Sequence, residues 1–347
     1  MKINRQKYSF QKLTKNDYYT IGGIFSIILF IMIYVFFCPN YYDRDEPVIL
    51  DIPKGIGLSE AIDALYDKEV IPSKTNLRIA AFIFGAETKI KAGRYEIPNG
   101  LSYFELIDLL IEGQPDEQEL VTIPEGIWQK KLAGLLKNQI NVDSTHFMEL
   151  SQDKNFLKSL GINANTLEGY LLPETYYIYS NSSAEEVIKK IKTEMDKIFI
   201  DSVVDRMEEL SMNKHQILTL ASIIDGESNV VSEYKKISSV YHNRLKKGIK
   251  LQADPTVQYL KRDGKHNKIY YKDLEIDSRY NTYKYFGLPP GPINNPGKDA
   301  IYAALYPEES DYYFFVADGN GGHIFAKSLS EHNRNVNRYR EWRRKNQ

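Results

Sequence analysis

Residues 214–227 read K-H-Q-I-L-T-L-A-S-I-I-D-G-E. Ile217, Leu220, Ala221 and Ile224 recur at i, i+3, i+4 and i+7, the spacing of a helix that buries one face. Asp225 and Glu227 fall on opposite flanks of that face, at the C-terminal end of the helix. A carboxylate there meets the negative end of the helix dipole, and partial burial adds to the cost of its charge. Either acid is therefore expected to keep its proton to unusually high pH, which is what a general acid needs. A solvated helix end with two acids is the plain alternative, and the sequence that follows weighs against it.

Residues 230–247 predict a second amphipathic helix, with Val231, Tyr234, Ser238, Tyr241 and Leu245 along one side. Lys235, Lys236, Lys246 and Lys247 form its solvated face, and Gly248 follows as a stop. In L-Q-A-D-P-T-V at 251–257, Asp254 suits an N-cap and Pro255 the first helical position, so Asp254 ranks below Glu227. Y-N-T-Y at 280–283, G-L-P-P-G-P-I at 287–293 and N-P-G at 295–297 predict a long loop held in one shape. Such a loop, carrying Tyr and Asn, suits the wall of a sugar cleft. Residues 314–318 and 321–325 read as a strand, a tight turn and a return strand, with His323 beside the turn. Gln252, Tyr280, Asn281, Tyr283, His323 and Glu174 are the candidates to line a cleft. Each is equally able to hold loops together by hydrogen bonds.

Towards the N-terminus, residues 18–37 contain no charge. That run is long enough to cross a hydrocarbon core of roughly 30 Å. It ends in Val35-Phe36-Phe37-Cys38, without the small residues of a signal-peptidase or lipoprotein site, so an uncleaved anchor over 18–38 is expected. Lys2, Arg5, Lys7, Lys12 and Lys15 precede it, while Asp43, Arg44, Asp45 and Glu46 follow. The positive-inside rule then puts residues 1–17 in the cytoplasm and the remainder outside the membrane.

After a polar linker at 39–47, the pattern runs strand at 48–52, helix from Ser59, helix over 75–84, strand at 93–97 and helix over 102–112. Strand–helix–helix–strand is a LysM-like order, and residues 48–120 are expected to form such a glycan-binding module. A second α+β unit is expected over 121–347, with its core at about 160–347. It opens on V-T-I-P-E-G, with Trp128 just inside the next helix. The fold class is α+β throughout.

Composition removes several alternatives. The formal net charge of -1 gives no reason to expect nucleic acid. The single cysteine and the spacing of the six histidines offer no disulfide framework or metal site. No Gly-rich phosphate loop appears, and no cofactor is expected.

In series, these motifs resemble the YceG-like endolytic murein transglycosylases (MltG). The matching segments are I-P-E-G at 123–126, L-E-G-Y-L-L-P-E-T at 167–175, L-A-S-I-I-D-G-E at 220–227, Y-H-N-R-L at 241–245 and L-Q-A-D-P-T-V at 251–257. Y-N-T-Y, G-L-P-P-G-P-I, N-P-G, F-V-A-D, G-G-H and E-H-N at 331–333 complete the series. The family's A-S-I-[VI]-E-K-E becomes A-S-I-I-D-G-E here, which keeps the last acid and suggests a looser helix end at Gly226. Arg279 replaces a proline of the family before Y-N-T-Y. The resemblance implies Glu227 as the acid that cuts between N-acetylmuramic acid and N-acetylglucosamine, leaving 1,6-anhydro ends and ending strand growth. It also implies peptidoglycan strands as substrate and membrane-bound peptidoglycan synthases as partners. Two other readings predict different products. A non-catalytic glycan-binding anchor makes no new ends, and a hydrolase using Asp225 or Asp254 to hold water leaves reducing ends.

Overall fold

The computed structural model describes residues 14–44, 46–53, 55–86, 88–262 and 268–346. Lys2, Arg5, Lys7, Lys12, Asp45 and His266 lie outside the described residues. The order is helix α1 (Lys15–Phe37), strand β1 (Val48–Ile52), helices α2 (Leu58–Asp67) and α3 (Lys74–Ile83), strand β2 (Gly93–Ile97), helix α4 (Tyr103–Glu112) and strand β3 (Gln118–Thr122). Helices α5 (Gln129–Ile140), α6 (Ser144–Leu150) and α7 (Lys154–Ser159), strand β4 (Thr175–Tyr179) and helices α8 (Ala184–Asp196), α9 (Asp201–Glu209), α10 (Lys214–Glu227), α11 (Tyr234–Lys247) and α12 (Asp254–Leu260) follow. Helix α13 (Lys298–Leu305), strands β5 (Phe314–Ala317) and β6 (His323–Ala326) and helix α14 (Leu329–Asn346) close a mixed α+β chain. It divides into two compact units between Gln118 and Glu119.

In the first unit, β1 and β2 pair antiparallel, with Val48 opposite Ile97 and Leu50 opposite Tyr95. Alternation puts Val48, Leu50, Ile52, Tyr95 and Ile97 on the buried side, where Ile62, Leu65, Leu77, Leu106 and Leu110 complete the core. Ser73 caps α3, and Ser102 with Glu105 forms a capping box on α4. The order β1–α2–α3–β2 is the one the hydrophobic pattern predicts.

The polar linker expected at 39–47 is tied down at Tyr42. Asn99 accepts from the Tyr42 backbone N–H at 3.0 Å and donates to the Tyr42 carbonyl at 2.9 Å. The Tyr42 ring is buried, and its hydroxyl donates to the Ile97 carbonyl at 2.7 Å. An asparagine amide pairs as a backbone strand would, so a polar segment is fastened in place. Helix α1 spans 23 residues and is long and apolar enough to cross a membrane. At its end Phe36 is buried, and Phe37 stacks on Phe104 with centroids 5.4 Å apart.

The second unit is built around α10. Every residue from Ile217 to Asp225 is buried, so the helix is enclosed on all sides rather than on the one face its periodicity indicates. Thr219 and Ser222 are tolerated because their hydroxyls donate to carbonyls one turn back, those of His215 and Thr219. Helix α13 lies along α10, with α11 and α12 against other parts of its surface. Helix α11 starts at Tyr234 after a 3-10 turn at Val231–Glu233, leaving Val231 exposed, contrary to the predicted helix from 230. Gly248 ends α11 in the left-handed region, as expected. Trp128 precedes α5 as its N-cap instead of lying inside it. At Gly226 a Cβ would sit 2.7 Å from Pro255 Cβ, so this glycine lets the start of α12 pack against the end of α10. Close approach, and not the looseness expected from sequence, is its structural use.

The loop wall is fixed by one buried side chain. Asn295, fully buried, accepts from the N–H groups of Gly169 and Leu171 at 3.0 and 3.2 Å and donates to the Ile127 carbonyl at 3.1 Å. Its backbone N–H also donates to Ile127, and its carbonyl accepts from Gly126. Asn295→Ala would strand two donors and reduce the partners of one acceptor, at about 1–3 kcal/mol for each buried group left unpaired. A loss on the order of 3 kcal/mol in the unfolding free energy of the second unit is expected, measurable by denaturant titration in detergent.

Candidate active site

Three cavities follow one another along the second unit. One of about 410 Å³ is lined by Glu227, Ser228, His323 and Trp342. It shares Gly226 and Asn229 with a cavity of about 530 Å³ that contains Asp225, Glu125 and Asn294. That one shares Trp128 and Lys131 with a third, of about 570 Å³, lined by Gln129, Glu168 and Tyr259. Neighbours in this series share lining residues, the first two lie at the C-terminal end of α10, and we term the three segments of a groove.

Glu227, the last residue of α10, is partly exposed at the wall of the first segment. The buried Tyr241 hydroxyl, from α11, donates to its Oε1 at 2.5 Å. Burial pushes its pKa up to about 8. Tyr241's hydrogen bond opposes that rise, Asp254's charge adds to it, and Arg244 opposes it. Arg244 is itself buried, its guanidinium donating to the carbonyls of Tyr313 at 2.7 Å and Leu251 at 2.6 Å. Its Nε and Nη1 groups are engaged with carbonyls, and Arg244 acts on Glu227 through its charge. Tyr241 and Arg244 are one helical turn apart, so both face the end of α10.

Asp225 lies in the middle segment. Burial raises its pKa to about 7, helped by the neighbouring Glu125, while a backbone hydrogen bond from Gly297 acts the other way. Glu125 is raised as well, first by burial and then by Asp299 and Glu174. The two acids that the sequence places at the helix end thus face different groove segments.

The softer candidates separate. His323 shares the Glu227 cavity. Its Nδ1 lies 2.7 Å from Glu233 Oε2, and its backbone N–H donates to Glu233 Oε1 at 2.9 Å. Asp254 is the first residue of α12, Ala253 being the N-cap, so the expected cap is corrected. Its Oδ1 accepts from the Tyr283 hydroxyl at 2.6 Å, and its charge reaches Glu227. Asn281 is corrected more strongly. It is fully buried, with its amide donating to the carbonyls of Leu274 and Ile276 and accepting from the Tyr283 N–H, so it shapes the loop. Gln252 is exposed in the left-handed region at φ 49°, its backbone N–H donating to the Thr282 carbonyl. Tyr280 packs on Tyr259 with centroids 5.1 Å apart, away from the Glu227 cavity. Glu174 lines a separate hollow with Tyr176 and Lys190. Tyr241, Arg244, Glu125 and Glu233 were absent from the sequence candidates, although Y-H-N-R-L and I-P-E-G carry three of them. Among the described residues, no three His, Cys, Asp or Glu side chains converge as metal ligands would.

The raised acids have a thermodynamic consequence. Over the interval between their ordinary values and about 7 for Asp225 or about 8 for Glu227, the folded chain binds protons that the unfolded chain has released. Stability from this source is full below the ordinary carboxylate range and is lost as pH rises through the folded values. Glu227→Gln is expected to be more stable than the parent at pH 8 and to show a flatter dependence between pH 5 and about 8, read by thermal unfolding across pH.

The YceG-like family matches residues 50–338. An endolytic murein transglycosylase of Bacillus subtilis (strain 168) is 33% identical over 316 residues, covering 87% of each chain. Its counterpart in Streptococcus pneumoniae (strain D39) is 30% identical over 281 residues, 72% of this chain, which spans 50% of that longer protein. The crystal structure of a YceG-like protein from Listeria monocytogenes superposes with a TM-score of 0.57 at 34% identity, covering 84% of this chain and 99% of that one. The chain that carries this groove belongs to the YceG-like family.

Proposed function

We propose that this chain is an endolytic murein transglycosylase, a lyase of peptidoglycan, and that Glu227 is its catalytic acid. The observation that carries the residue assignment is a carboxyl at a groove wall, held by the buried Tyr241 hydroxyl, where burial raises its pKa to about 8. Glu227 gives its proton to the oxygen linking N-acetylmuramic acid to N-acetylglucosamine as the C1–O bond breaks. The resulting carboxylate, supported by the Tyr241 hydroxyl and by the charge of Arg244, takes the proton of the muramic acid 6-hydroxyl. O6 closes on C1, no water is consumed, and one acid serves both steps. Tyr241 occupies Oε1 and leaves Oε2 for the sugar.

His323, Tyr283 and Asp254 are assigned to the substrate-facing surroundings of that acid, with Gln252 at the edge of the same loop. Asn281 supports the wall from within. The β1–α2–α3–β2 unit is assigned a LysM-like, glycan-holding role, supported by its element order and two-stranded sheet. The catalytic unit is assigned to 121–347. Helix α1 is consistent with a single-pass anchor. The basic residues before it and the acidic ones after it support an inside N-terminus, with the enzyme at the outer face of the cytoplasmic membrane. Cutting there terminates nascent strands, which makes membrane-bound synthases the expected partners.

Asp254, whose charge acts on Glu227, supports a hydrolytic second reading in which it holds a water. The products separate the two. Full-length enzyme acting on polymerised, uncross-linked glycan is expected to give 1,6-anhydromuramic ends by mass spectrometry, and reducing muramic ends would select the hydrolase. Glu227→Gln is expected to fold and to lose roughly a thousandfold or more in turnover, and near-parental turnover would remove Glu227 from its role. In Tyr241→Phe the opposing hydrogen bond is gone, so Glu227 should titrate still higher. The basic limb of the pH–rate profile should move up while turnover falls roughly tenfold.

A further inference from the structure

The third groove segment, beyond Trp128 and Lys131, takes no part in the chemistry above. Its lining includes Gln129, 4% exposed, whose side-chain Nε2 and Oε1 both lack a hydrogen-bond partner. Folding alone gives no reason to bury an amide with both ends unpaired. The residue's backbone is fully engaged, because its N–H donates to the buried Glu168 Oε1 at 2.9 Å and so caps the start of α5. A donor beside an acceptor is complemented by an acceptor beside a donor, which is what a peptide amide presents.

The walls select further. The Lys131 ammonium lies 4.6 Å from the centre of the Trp128 ring, and the Arg262 guanidinium 4.0 Å from that of Tyr259. One face of each ring thus carries a cation, and that face is no bare platform for a sugar to stack on. The walls offer positive charge instead. Glu168, pushed up to about 7 by burial, cancels little of it while protonated. At about 570 Å³ the cavity is in the range of ordinary ligand pockets, and it shares Trp128 and Lys131 with the middle segment.

We propose that this cavity binds the peptide stem of the glycan, the amide-rich, carboxylate-bearing chain on muramic acid, with Gln129 pairing to a stem amide and Lys131 and Arg262 facing its carboxylates. The assignment rests on the reading that a glycan strand occupies the groove. The stem then supplies binding energy away from the bond that breaks, and helps to decide which muramic acid reaches Glu227.

The test uses the full-length Glu227→Gln chain in detergent, so that binding is read without cleavage. Titration calorimetry compares N-acetylmuramoyl pentapeptide, the same compound with its carboxylates amidated, and a peptide-free N-acetylglucosamine tetramer. The muramoyl pentapeptide is expected to bind, and amidation to weaken it at least tenfold. Adding Gln129→Leu should weaken the muramoyl pentapeptide at least tenfold without lowering the unfolding temperature, because the amide removed was unpaired. Adding Arg262→Gln, at the exposed rim, should weaken only the carboxylate-bearing ligand. Unchanged pentapeptide affinity in both variants, or no binding at millimolar ligand, would overturn the proposal. A loss confined to the tetramer would make the cavity a sugar subsite and overturn it equally. A wild-type enzyme that binds the stem but releases no new glycan ends would sink the catalytic reading and leave this one standing.

Discussion

The Asn295 side chain joins three chain segments that lie far apart in sequence, and the groove depends on that junction. One amide takes two backbone N–H groups from the L-E-G-Y segment and gives one to the carbonyl that follows I-P-E-G. Next to it, the Ile293 N–H donates to the Ser222 hydroxyl and the Asn294 amide to the Ser222 carbonyl, tying the same loop to α10. Buried backbone groups without partners are costly, so loops enclosed against a helix must find such clasps. Gly169 makes room for this one, since a Cβ there would sit 2.2 Å from Pro292 Cβ. The Pro/Gly density of 287–297 is thus an assembly requirement as well as a source of stiffness.

Electrostatics follows from that enclosure. Glu227, Asp225 and Glu168 sit in successive groove segments, and burial is the first cause of the raised pKa in each. What distinguishes them is the neighbour. Glu227 has a phenol on one oxygen and a buried guanidinium close by, both favouring its charged form, so it can part with a proton and recover it. Asp225 has another acid beside it, which discourages ionisation. Glu168 receives a helix N–H and serves as a cap. Similar carboxyls thereby meet three different neighbours: a phenol with a nearby cation, a second acid, and a helix N–H.

Sequence periodicity located the helices well where one face alone was buried. It found α2, α3, α4 and the β5–β6 hairpin, because side-chain alternation and capping residues are local properties. It underread α10, since a helix enclosed on every side still shows a 3.6-residue pattern when Thr and Ser pair with their own backbone. Motif order supplied the family, and it left Asn281 open between a place in the cleft and a role in its own loop. An asparagine whose partners are backbone carbonyls in its own loop looks the same in sequence as one that meets a ligand.

By itself, the sequence determined the apolar helix near the N-terminus, the α+β class, the order of the first sheet and its helices, and the acid at the end of α10. These depend on composition, short-range spacing and motif order, which a linear text records. Tertiary structure alone decided that Tyr241 touches Glu227, that Arg244 is buried near it, and that Gly226 makes room for Pro255. It also decided that the side-chain amide of Gln129 is buried without a partner. Such facts depend on which distant segments share a dry interior, and burial sets both the proton affinity of an acid and the cost of an unpaired amide.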